Sequence, residues 1–255
     1  IGKRNRFQMN NSQVSVETKE IADRMVVFLA REIRDYETVF HGVSSILPMV
    51  AISLARVTKA PNITYLNIPG GVDPIPSKLP LTTVGIQLME GNRSFFSLSE
   101  IFDLSARGKL DLAFLSGAQI DSFGNINLSF IGESEKPKTK FPGGAGSAML
   151  LPTAKRVVLW RTVHTKRTFP KDCSFITAAG NVDKIVTPLC IFKKTERNLS
   201  LHSKHYGTDE KSLRECTGFD IGSFENCPET VEPSSEEIAA LNQVDPCGIR
   251  YREFD

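Results

Sequence analysis

The chain has 255 residues, 40% of them apolar and 24% charged, with a formal net charge of +2. That length buries a sizeable core, and the near-neutral charge with only small basic clusters (Lys3-Arg4 with Arg6; Lys136, Lys138 and Lys140) argues against a nucleic-acid partner. No run approaches the roughly 18 apolar residues of a membrane-spanning helix, and none of the five cysteines forms a Cys-x-x-Cys pair, so neither a membrane nor a metal is expected and a reducing cytoplasm is the expected setting.

Residues 1–13 read as a flexible N-terminal arm, and 14–255 as a single α/β domain. From Val16, apolar residues at Ile21, Met25, Phe28, Leu29 and Ile33 follow a helical period, with Ser15 as cap. Thr38–Phe40 is a β-type run, Leu47–Val57 a helix and Asn62–Leu66 a second β-type run, which together predict a parallel βαβ start. Asn67–Pro80 holds four prolines and two glycines and is expected to lack regular structure. It follows the carboxyl end of a predicted parallel strand, where ligands of open α/β sheets sit. A helix over Leu98–Ala106 and a strand over Asp111–Leu115 come next. Ser116–Gly146 is dense in turn residues. Arg156–Trp160, Lys184–Thr187 and Leu189–Phe192 read as strands, and Leu199–Tyr206 as an edge strand. Helices are predicted from Thr208 to Glu215 and, capped by Ser234, to Asn242. The expected fold is α/β, an open and mostly parallel sheet flanked by helices.

Two blocks carry candidate chemistry. In Gly117-Ala-Gln-Ile-Asp121 and Phe123-Gly-Asn-Ile-Asn127, the glycine permits close approach of a ligand, and Gln119, Asp121, Asn125 and Asn127 offer donors and acceptors. The same residues equally describe a self-bonded turn. Phe141-Pro-Gly-Gly-Ala-Gly-Ser147 exposes backbone N–H groups suited to an oxyanion or phosphate, yet is neither a Walker loop nor a dinucleotide fingerprint. Of the four histidines, His202 and His205 are expected on the surface of the edge strand. Cys173 and Cys190 are expected to be buried packing residues.

Taken in order, Gly117–Asn127, Ile131-Gly132, Pro137-Lys138-Thr139, Phe141–Ser147, Thr217-Gly-Phe-Asp220 and Val244-Asp-Pro246 resemble the β subunits of family I CoA-transferases, especially that of glutaconate CoA-transferase. The resemblance spans about Val16 to Arg250. It implies a CoA-transferase-like α/β fold, an α subunit as partner in a heterotetramer, and an acyl-CoA thioester as substrate. Gly143, Gly144 and Gly146 would line the thioester site, with Gly117, Gln119 and Asn125 shaping its wall. Members of the family attack the thioester with a glutamate, a case of covalent catalysis by a carboxylate. The place that the resemblance assigns to that glutamate reads Asn67 or Ile68 here, and the nearest acids, Asp73 and Glu90, do not match the motif. Three readings follow. One is a hydrolase or cleaving enzyme with its key carboxylate in the α subunit, like the related ring-opening CoA hydrolases whose β subunits lack the glutamate. The others are a genuine CoA-transferase and a non-catalytic structural or CoA-binding subunit. Acyl specificity is expected to reside in Asn67–Pro80 and Gly85–Phe96.

Overall fold

In the computed structural model, residues 15–254 are described, and the expected arm over residues 1–13 lies outside them. Ser15 accepts a hydrogen bond from the Thr18 N–H and starts α1 (Val16–Arg31), whose Ala22, Met25, Val26 and Leu29 are buried. β1 (Thr38–His41), α2 (Ile46–Thr58) and β2 (Thr64–Leu66) form the expected parallel unit. β3 (Gly71–Val72) and β4 (Ser94–Phe95) add antiparallel strands, so the proline-rich stretch holds one short strand after all. Its prolines flank Gly71–Val72 without removing a donor from it, since Pro69 and Pro74 lie outside the paired residues.

α3 (Leu98–Ala106) opens on a capping box between Ser97 and Glu100 and leads to β5 (Leu112–Leu115). Two small hairpins follow, β6 (Gln119–Ile120) with β7 (Ile126–Asn127), then β8 (Phe130–Gly132) with β9 (Pro137–Lys140). After the glycine-rich loop come α4 (Ser147–Thr153), β10 (Arg156–Trp160), β11 (Val182–Val186), β12 (Cys190–Lys194) and β13 (Leu199–Lys204). The chain ends in α5 (Glu210–Cys216), α6 (Ser235–Val244) and a 3-10 turn over Ile249–Phe254. α5 starts on Asp209, whose carboxylate accepts from the Ser212 N–H; the predicted cap Thr208 instead donates its hydroxyl to the Leu189 carbonyl.

The main sheet has nine strands in the order β13-β12-β11-β10-β5-β1-β2-β3-β4. Its five central strands are parallel, and antiparallel strands close both flanks. Alternation along the strands divides the core. Val39, Leu112, Phe114, Val158 and Trp160 face α1, α2 and α6, whereas Phe40, Ala113, Leu115, Val157 and Leu159 face the layer that holds α3 and α4. Full burial of a side chain such as Leu112 or Phe114 stabilises by about 1.5–3 kcal/mol. From β1 the chain moves to β2 on one side, and later returns to place β5 on the other side. The order of the strands therefore reverses between β1 and β5, and the crevice at their carboxyl ends is where an open α/β sheet holds its ligand.

Candidate functional site

A pocket of about 550 Å³ occupies that crevice. Its walls come from the segments that leave the carboxyl ends of β1 (Val43, Ser44), β2 (Ile68), β5 (Ser116, Gly117, Ala118) and β10 (Arg161, Thr162). Phe141–Ser147 and two residues of α3, Leu98 and Phe102, cover it. That volume and a largely apolar lining suit a small-molecule site.

Gly117 is required by packing. A Cβ there would lie 2.8 Å from the Gln119 carbonyl oxygen and 2.9 Å from the Ile126 Cβ. Gly143 is required by conformation, with φ of +101°. Its N–H donates to the Leu128 carbonyl, and the Ser147 N–H donates to Gly144, which closes the loop onto α4. Between these two anchors the N–H groups of Gly144, Ala145 and Gly146 donate to no described residue. These residues line the pocket, and backbone N–H groups without a partner are the kind of donor that holds a carbonyl oxygen as it gains negative charge.

Of the expected wall residues, Gly117, Gly143, Gly144 and Gly146 line the pocket, whereas Gln119 and Asn125 do not. Gln119 is buried, and its Oε1 accepts from Asn127 Nδ2 at 2.8 Å and from both the N–H and hydroxyl of Ser174. Asn125 donates to Asp121 Oδ2 at 3.0 Å, while Asp121 Oδ1 accepts from the N–H groups of Phe123 and Asn125. The polar side chains of this block are thus bonded to one another and to Phe130, Cys173 and Ser174. None of Gln119, Asp121, Asn125 and Asn127 lines the pocket.

The two residues that the resemblance assigns to the nucleophile position separate clearly. Asn67 is fully buried: its Nδ2 donates to the Leu88 carbonyl at 2.8 Å and its Oδ1 accepts from the Gly71 N–H at 3.0 Å. Ile68 lines the pocket. Neither an amide locked in a turn nor an alkyl group can attack a thioester. Asp73 is committed to the Tyr65 N–H at 2.8 Å, and Glu90 accepts from the N–H and hydroxyl of Ser77. Neither lines the pocket.

Three functional candidates have no motif in the sequence: Trp160, Arg161 and Glu253. Among the described residues, Arg161 and Glu253 are the only ionisable ones on the pocket wall. Glu253 arrives from the far end of the chain and its Oε1 accepts from the Ile46 N–H at 2.7 Å. It thereby caps α2, whose own N-cap Ser45 makes no side-chain cap. Burial raises the Glu253 carboxyl above its ordinary value, against the Ile46 N–H and Arg161, which favour its charged form. Burial likewise disfavours the Arg161 charge, and Glu253 supports it.

The histidines lie apart from the pocket wall. His41 Nδ1 faces the Gly42 carbonyl at 3.0 Å, so that nitrogen carries the proton, and Nε2 accepts from the Tyr65 hydroxyl at 2.6 Å. His205 is buried against Phe28, with Nε2 donating to the Thr187 carbonyl at 2.9 Å, contrary to the expected surface position; His202 is exposed. Cys190 is buried as expected and Cys173 half-buried, its thiol pushed up to about 12 by burial, so it is not a thiolate nucleophile at neutral pH. Among the described residues no group of three or more His, Cys, Asp or Glu side chains is placed to hold a metal ion, and no helix is long and apolar enough to cross a membrane.

An open α/β sheet with a glycine-walled, mostly apolar pocket at its switch point defines a small-molecule enzyme scaffold. Residues 22–199 match the coenzyme A transferase family, and the chain belongs to that family. It is 30% identical to the β subunit of 3-oxoadipate CoA-transferase from Pseudomonas knackmussii over 243 residues, covering 88% of this chain and 92% of the relative. It is 27% identical to the cholesterol ring-cleaving hydrolase IpdB subunit of Rhodococcus jostii over 234 residues, 81% and 85% of the two chains. Among solved structures, the decarboxylase AibA/AibB superposes with a TM-score of 0.85 at 30% identity, over 90% of this chain and 96% of that one. The expected resemblance and fold class are both upheld. Proteins similar to this chain thus include a transferase, a hydrolase and a decarboxylase.

Proposed function

We propose that this chain is the single-domain β subunit of a two-subunit cytoplasmic enzyme that hydrolyses or cleaves a CoA-linked substrate, with the key carboxylate supplied by the α subunit. The observation that carries this reading is the pair Asn67–Ile68: one side chain is locked in a buried turn and the other is an alkyl group on the pocket wall. No acyl anhydride forms at either. The preserved part is the binding scaffold. Gly117 and Gly143–Gly146 receive the thioester, and the free N–H groups of Gly144, Ala145 and Gly146 stabilise negative charge on its carbonyl oxygen. Gln119 and Asn125 support that wall from behind. The similarity to a ring-cleaving hydrolase subunit and to a decarboxylase supports chemistry that breaks a bond within a CoA-linked substrate.

A partner is supported by the exposed apolar surface of this chain. Ile75, Ile86, Phe95 and Leu98 are exposed, and β4 is an exposed edge strand. Apolar exposure of this kind beside a free edge marks an interaction surface. A genuine CoA-transferase is the second reading, favoured by the 3-oxoadipate relative. The two separate in one assay. The complex purified through a tag on this chain is given a panel of acyl-CoA thioesters with and without free acetate as acceptor. The expected result is loss or shortening of the acyl group without any acceptor acid. Transfer of CoA that depends strictly on acetate would favour the transferase, and failure to bind any CoA thioester would overturn both.

A further inference from the structure

The hairpin that leads into the glycine-rich loop presents a cationic and aromatic face. Lys138 and Lys140 are two residues apart on β9, so they point to one side of it, and both are exposed. Neither forms an ion pair with a described residue. Glu133 and Glu135 sit in the turn before β9 and bound the cationic face. Phe130 of β8 stands opposite Lys140 in register, on the same face, and its ring meets that of Phe175 with 4.8 Å between centroids. Phe175 and the next residue, Ile176, are exposed. This patch is joined to the pocket wall. The hairpin's hydrogen bonds run on past its strands, from the Phe141 N–H to the Ser129 carbonyl and from the Gly143 N–H to the Leu128 carbonyl. Thr177, just beyond Ile176, accepts from the Leu128 N–H at 2.8 Å, and a Cβ on Gly144 would lie 2.7 Å from its Cγ2. Lys140 and Lys138 precede Gly144 by four and six residues, so they lie at most about 13 Å and about 20 Å from it.

We propose that Lys138, Lys140 and Phe175 form a platform for the phosphoadenosine end of the substrate, so that the enzyme selects a thioester of free CoA over the same acyl group on a bare pantetheine arm or on a carrier protein. This rests on the CoA-thioester reading above and specifies which part of the carrier is recognised. The pocket itself is poorly charged for a nucleotide. Arg161 is the one cation on its wall among the described residues, and Glu253 offsets it in part. A group with several phosphates is better matched just outside, where two ammonium groups lie free on one face. Lysine holds a phosphate as a compact point charge and needs no fixed fork geometry. The exposed Phe175 ring, backed by Phe130, offers an adenine a surface to stack on. With the thioester carbonyl at Gly144–Gly146, the pantetheine arm spans the stretch between the loop and the lysines. A carrier protein joined through phosphopantetheine brings no adenine and fills neither part of the platform fully.

CoA, dephospho-CoA and pantetheine, which lose first the ribose phosphate and then the whole nucleotide, test it. Affinity is measured by calorimetry on the complex purified through this chain. The intact complex is expected to bind CoA more tightly than dephospho-CoA, and dephospho-CoA more tightly than pantetheine. Lys138→Met together with Lys140→Met is expected to weaken CoA by about 10-fold, the scale of two exposed charge contacts, and to leave pantetheine unchanged. Phe175→Leu, which keeps an apolar contact with Phe130, is expected to weaken CoA by at least about 5-fold, and Phe175→Trp to retain it. Raised ionic strength is expected to weaken CoA binding to the intact complex more than to the lysine variant. Equal affinity of the intact complex for CoA and pantetheine, or unchanged CoA affinity in both the lysine and the Phe175→Leu variants, overturns the platform and leaves the CoA-thioester reading standing. Binding of none of the three probes overturns that reading, and the platform with it. Loss of the partner subunit from either variant preparation would show that the patch is a subunit contact and would overturn the proposal.

Discussion

Replacing Arg250 by leucine is expected to lower stability by about 3–5 kcal/mol, because it strands a buried carboxylate. The Arg250 side chain is 2% exposed and that of its partner Asp245 is 1% exposed, with Nη1 to Oδ2 at 2.9 Å. Asp245 also accepts from the N–H groups of Ile249 and Arg250, so the same carboxylate fixes the 3-10 turn that follows α6. That turn carries Glu253 into the pocket and onto the end of α2. The substitution is therefore expected to loosen the pocket wall as well as the fold. Urea unfolding measures the first effect. Asp245→Asn in the same chain is expected to recover part of the loss, since it removes the stranded charge. A cost below about 1 kcal/mol would mean that the pair does not hold the C-terminal turn.

Acidification is expected to unfold the protein well above the pH at which carboxylates titrate. Burial lowers His41 to about 4, His164 to about 3 and His205 to about 4, from an ordinary value of 6.5. Well above pH 6.5 these rings are neutral in both states and contribute nothing to the pH dependence. Below it the unfolded chain takes up protons that the folded chain refuses, so stability falls. The loss ends only when the folded rings protonate, near pH 4 to 3. Around pH 5 the difference approaches three protons, a slope of about 4 kcal/mol per pH unit. Urea midpoints at pH 7, 6 and 5 check this. A stability that stays flat between pH 7 and 5 would show that the histidines accept protons in place.

The parts of the fold written in local patterns were legible. Ser15 and Ser234 mark helix starts through caps that depend on a few adjacent residues. The apolar run Leu112–Leu115 is buried throughout, as a central parallel strand requires. Asp209 displaced Thr208 as a cap because the Thr208 hydroxyl found a carbonyl distant in sequence. His205 reads as a surface residue only while Phe28 and Thr187, far along the chain, are ignored.

The site divides in the same way. The glycines that line the pocket were legible because glycine at a strand end or in a tight loop leaves a local signature. The orientation of Gln119 and Asn125 was not, since a self-bonded turn and a ligand wall use the same residues. Trp160, Arg161 and Glu253 left no signal. The first two end an ordinary strand, and the third comes from the far end of the chain. Only the folded sheet brings them to one pocket.

The absence of a nucleophile from this chain is the central claim, and trapping tests it most directly. The complex is incubated with an acyl-CoA substrate, treated with borohydride or hydroxylamine, and this chain is mapped by mass spectrometry. The account predicts an unmodified chain, including Glu253, the one carboxylate among the described residues that reaches the pocket wall. A glutamyl adduct on Glu253, or on any other residue of this chain, would contradict it and restore the transferase mechanism.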